Sequence, residues 1–127
     1  MTRLTLSASA LVLAILGIAA TFAPQEIATA LALPPTGVLP LLVQLLGATL
    51  FALAMINWMA RGSLIGGIYN RPIAVGNVAH FVIGALAATK AVLHGEHRPI
   101  VIAITAIYVV FAIAFGMILM RSPVSST

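Results

Sequence analysis

The side chains able to do chemistry are few in this chain, and they are bunched. Asn57 and Arg61 stand four residues apart, and Asn77 and His80 three apart. On helices, each pair shares a face. Between them run Gly62, Gly66, Gly67, Tyr69, Asn70, Arg71 and Pro72. A connection this short makes the two flanking helices antiparallel neighbours, and the two pairs are expected to face one another near one membrane surface. Guanidinium groups at Arg61 and Arg71 suit a phosphate or another anionic headgroup. The amides of Asn57 and Asn77 and the imidazole of His80 suit a carbonyl or a hydroxyl. His80 is expected roughly 10–12 Å inside its helix, at the rise of an α-helix. These five residues form the candidate ligand-binding cluster.

The same residues admit a structural reading. Trp58 and Tyr69 fit the aromatic belt at a membrane surface, and the arginines mark the cytoplasmic side. Asn77 and His80 can link helices by hydrogen bonds. Gln44 lies thirteen residues before Asn57 and on another face, which points to an interhelical hydrogen bond. Gly76, His80, Gly84 and Ala88 recur every fourth residue, a spacing that lets helices approach closely. Gly47, Ala48, Ala106, Ala114 and Gly116 offer similar contact points.

Other chemistry is poorly supported. His94, Glu96 and His97 precede Arg98 and Pro99, but their spacing fits no standard metal motif and one loop supplies only part of a site. A polar loop is the expectation, with no metal and no cofactor. The chain has no cysteine and no aspartate, so thiol chemistry and a Ser–His–Asp arrangement are excluded. No Gly-rich phosphate loop and no HExxH motif occurs. His80 is the one histidine in an apolar run, and no nucleophile or carboxylate accompanies it there. The expectation is a non-catalytic protein.

The elements that carry these residues are set by solvent. Of 127 residues, 62% are hydrophobic and 6% charged, against roughly 25% charged in soluble domains. A chain this short has too much surface for its volume to hide that apolar content from water. Four runs, 4–23, 38–60, 73–93 and 100–120, approach the about 20 apolar residues a spanning helix needs, and none contains an acidic residue. They are too long and too little alternating for membrane strands. The first run exceeds a usual signal core, so a retained span is expected.

The fold expected is all-α: a single transmembrane domain over 1–127, an up-down-up-down four-helix bundle. A short interfacial helix is expected after the first span, where Pro24 suits a first turn and Glu26 suits the helix dipole. The tail 122–127 is polar and is expected to be disordered. Arg3, Arg61, Arg71 and Arg121 fall on one side of the membrane, against Lys90 and Arg98 on the other. That bias places both termini and the central loop in the cytoplasm.

The central stretch Asn57-Trp58-Met59-Ala60-Arg61, Arg71-Pro72, Gly76-Asn77 and His80-Phe81, ending near Lys90, resembles uncharacterised small four-helix proteins of the bacterial inner membrane. The resemblance covers about the central 40% of the chain. It implies a bacterial inner-membrane location and no particular chemistry. The chain departs from small four-helix antiporters, which need a glutamate in the first helix. It departs too from fluoride channels and from membrane glutathione transferases.

Two functions fit. One is an accessory or self-associating helical subunit, with other transmembrane helices or its own copies as partners. The other is a binder or carrier of a lipid or hydrophobic small molecule at the Asn57, Arg61, Arg71, Asn77 and His80 cluster. Membrane lipids are partners in both. Nucleic acid is not expected, because the basic residues sit at the ends of apolar runs and form no block.

Overall fold

A computed structural model describes residues 2–62 and 70–121. Among them there are five α-helices and no strand: α1 (Thr2–Phe22), α2 (Pro24–Ala30), α3 (Leu39–Ala60), α4 (Arg71–Leu93) and α5 (Pro99–Arg121). The four long helices have 21 to 23 residues. At the α-helical rise they are about 31–35 Å long, enough for a hydrocarbon core of about 30 Å. All four have the length and apolar character of membrane spans. The expected all-α architecture is present, with the short helix after the first span. The turn at Gly66, Gly67 and Tyr69 and the tail 122–127 lie outside the described residues.

The chain divides into two compact units: Leu6–Met59, and Met1–Thr5 together with Ala60–Thr127. The first unit holds most of α1, all of α2 and nearly all of α3. Its long helices are antiparallel. Asn57 bonds Ser9, Gly17 lies against Phe51 and Gly47, and Gln44 bonds Thr21. The partner's number falls as the α1 number rises. Small residues permit this approach. A Cβ on Gly17 would stand 2.8 Å from the backbone nitrogen of Phe51 and 2.9 Å from the carbonyl oxygen of Gly47. Pro24 begins α2, where a missing N–H costs nothing. The helix ends in a turn with Ala32 at φ 54°, and Ala28 is fully buried.

In the second unit α4 packs against α5. Phe81 sits at the centre, with ring centroids 5.2 Å from Tyr108, 5.0 Å from Phe111 and 5.5 Å from Phe115. Such ring pairs add about 0.5–1.5 kcal/mol each beyond the area they bury. A Cβ on Gly84 would run into the ring of Tyr108. Gly84 is therefore the site of closest approach, whereas Gly76 and Gly116 border open space. The four-residue repeat expected along α4 divides here, with Gly84 in the interface and Gly76 outside it.

One rule selects the inner face of every long helix. The buried positions are Thr5 or Leu6, Ser9 or Ala10, Leu13, Gly17 and Ala20 in α1, and Gly47, Leu50, Ala54, Asn57 and Ala60 in α3. In α4 they are Ala74, Asn77, Phe81 and Ala85, and in α5 Tyr108, Phe111, Phe115 and Ile118. The steps of three and four residues are those of knobs-into-holes packing. The outer faces carry Leu, Ile, Val and Met. The buried stripes of α1, α3 and α4 gather small and polar side chains, as expected where lipid competes for the apolar ones.

Candidate functional site

The structure gives each of the five sequence-selected residues a distinct place. Asn57 is fully buried in α3, and its Nδ2 donates to Ser9 Oγ at 3.0 Å. Ser9 Oγ in turn donates to the Leu6 carbonyl at 3.0 Å. The hydroxyl thus accepts from one helix and donates within its own, and the polar chain ends on backbone. Gln44 makes the interhelical bond expected of it, donating from Nε2 to the Thr21 carbonyl at 3.2 Å. These links pin the two long helices of the first unit at opposite ends of their contact.

Asn77 is also fully buried, and its Nδ2 donates to the Ile73 carbonyl one turn back at 2.9 Å. His80, half-buried, shares a 3.0 Å hydrogen bond between Nε2 and the Tyr108 hydroxyl. Its ring meets Phe81 edge-on at 5.0 Å. Because α4 begins at Arg71 rather than at residue 73, His80 lies about 13.5 Å along the helix, deeper than expected. Arg71 is the first residue of α4 and is exposed. Arg61 is half-buried, in the turn after α3.

Within the second unit, Arg71, Asn77 and His80 stand on one helix, and His80 reaches α5 through its hydrogen bond to Tyr108. Asn57 belongs to the first unit and reaches α1. The partners that sequence reading missed are Ser9 and Tyr108. Tyr108 left a signal, since tyrosine favours the membrane surface and this one lies near mid-span. Ser9 left almost none: its hydroxyl can satisfy itself on the preceding turn of any helix.

The loop 94–98 behaves as a polar connection. The backbone of His94 donates to the carbonyls of Lys90 and Ala91, closing α4. Glu96 forms an ion pair with Arg98. Gly95 takes a φ of 104°, which a side chain would strain. Among the described residues no three His, Asp or Glu side chains gather as metal ligands do.

Charge is divided unevenly along the chain. All six Lys and Arg residues fall in Met1–Thr5 or Ala60–Thr127. The 54 residues of Leu6–Met59 contain one charged side chain, Glu26. These features define a small multi-pass α-helical membrane protein. No protein-family model, curated protein or solved structure matches the chain.

Proposed function

We propose that this protein is a non-catalytic helical subunit of the bacterial inner membrane, acting by lateral association with its own copies or with other transmembrane helices. The observation that carries the reading is the destination of the polar groups. Asn57, Gln44, Asn77 and His80 each bond within the chain. The outer faces of the spans offer apolar side chains, among them Ile15, Leu46, Ile83, Leu86, Val110 and Ile113. Chemistry at bilayer depth needs a polar or ionisable group aimed at a substrate. Association needs shape and apolar contact, and the chain offers those. The resemblance of its central stretch supports the bacterial location. The four arginines on one side support cytoplasmic termini.

Crosslinking in native membranes, with mass measurement of the full chain in mild detergent, tests the proposal. A defined oligomer, or a stoichiometric complex with another membrane protein, is expected. A lone monomer in both measurements counts against it.

A second reading rests on the exposed Arg71, with Arg61 ten positions before it and His80 nine after it: retention of a lipid or hydrophobic small molecule at this cluster, with Asn57 and Asn77 bracing the helices. Arg61→Ala and His80→Ala are then expected to lower lipid retention without unfolding the protein. Unchanged retention in both variants, read by native mass spectrometry, excludes it.

A further inference from the structure

The contacts between α4 and α5 follow a simple register. Phe81 meets Phe111 and Gly84 meets Tyr108, two contacts whose residue numbers add to the same total, and the contacts of Phe81 with Tyr108 and Phe115 and of His80 with Tyr108 fall within about one turn on either side of that register. Carried along the hairpin, the same total brings Arg71, the first residue of α4, level with Arg121, the last residue of α5. Both arginines are exposed. The chain has two acidic side chains. Glu96 sits at the opposite end of this hairpin, paired with Arg98. Glu26 belongs to the other compact unit, in α2. Two exposed arginines, level in register at this end of the hairpin, therefore have no carboxylate side chain in their own unit at that end. Like charges at neighbouring helix ends repel, and an anion bound between them relieves that repulsion. At the surface of a bilayer the abundant anion is the lipid headgroup phosphate, which a planar guanidinium binds in a bidentate fork.

We infer that Arg71 and Arg121 together bind the headgroup phosphate of an anionic phospholipid in the adjoining leaflet. The N-terminus of α4 lies at the same end, and the positive end of its helix dipole adds a favourable field. The opposite end of the hairpin has its own balance: Glu96 answers Arg98, and Lys90 lies in the last turn of α4, where a cation suits the helix dipole. Anionic lipid is thus selected at one end of α4–α5 and not at the other. The inference stands whether or not the protein self-associates.

The test uses the full chain in nanodiscs of phosphatidylcholine, alone or with one part in three of phosphatidylglycerol. The readout is the ratio of the two lipids retained on release into detergent, by native mass spectrometry. The wild-type chain is expected to enrich phosphatidylglycerol. The double variant Arg71→Gln/Arg121→Gln is expected to lose about thirtyfold of that preference, from about 1 kcal/mol for each basic residue near a charged surface. Arg71→Lys/Arg121→Lys keeps the charge without the fork and is expected to retain part of the preference. Lys90→Gln is expected to retain all of it. Raised salt is expected to weaken the enrichment. Equal retention of the two lipids by the wild-type chain overturns the inference, as does an equal loss in Lys90→Gln and in the double arginine variant. Competition by millimolar inorganic phosphate as strong as that by the lipid assigns the site to a free anion and overturns it too. Helical content by circular dichroism separates a lost site from a lost fold.

Discussion

At the scale of single residues, this protein uses polar side chains as fasteners. The bond of Asn57 to Ser9 and that of His80 to Tyr108 each join two helices in a medium that offers no water in exchange. Measured bonds of this kind are worth about 0.6 kcal/mol on average, with a maximum near about 1.7. Asn57→Ala is expected to lower stability by about 1 kcal/mol in reversible unfolding in mixed micelles. The Ser9 hydroxyl, still bonded to Leu6, keeps the loss small. Tyr108→Phe is expected to cost a similar amount while preserving the aromatic cluster around Phe81. In a His80→Phe background the same change is expected to add little, and a double-mutant cycle measures that coupling. Sequence reading singles out Asn57 and His80, because intramembrane polar groups are rare. It missed what they hold. Helical spacing reveals which residues share a face, but Ser9 and Tyr108 lie 48 and 28 positions away.

At the scale of elements, close approach is concentrated at a few glycines. Gly17→Ala sets a Cβ against backbone atoms of α3 that cannot swing aside. A loss of about 1–3 kcal/mol is expected, as for other overpacked interfaces. Gly84→Ala meets the movable ring of Tyr108 and is expected to cost less. Gly76→Ala and Gly116→Ala border open space and are expected to be neutral, or to gain slightly from better helix propensity. Unfolding midpoints of the four variants in one detergent give the ranking, and equal effects at Gly17 and Gly76 would show that the contact contributes nothing. The spans themselves were legible, since run length and hydropathy place them within two residues of the observed ends. The inner faces were not. Amphipathic patterning betrays a buried stripe in water because the other face must be polar. Here lipid covers the other face, and Leu serves equally well outside. Only the small and polar residues mark the stripe, and they are too few in α5, whose inner face is built from Tyr108, Phe111, Phe115 and Ile118.

At the scale of the whole molecule, the absence of cysteine makes topology straightforward to map. Under the proposed orientation, Thr2→Cys and Asn70→Cys are expected to react with a membrane-impermeant maleimide only after the inner membrane is opened. Glu96→Cys is expected to react in intact spheroplasts. The reverse pattern would invert the orientation and move the proposed lipid contact of Arg71 and Arg121 to the other leaflet.

The uneven charge also bears on how the chain enters the membrane. Leu6–Met59 must thread two spans with Glu26 as its sole charged side chain, and acidic residues steer insertion weakly. Its direction is therefore set from outside, by Arg3 before it and Arg61 after it. The first hairpin is a passenger whose orientation is decided by residues belonging to the other unit. Severed from those flanks, it would have no preferred way up, and the two mirror insertions would compete on nearly equal terms.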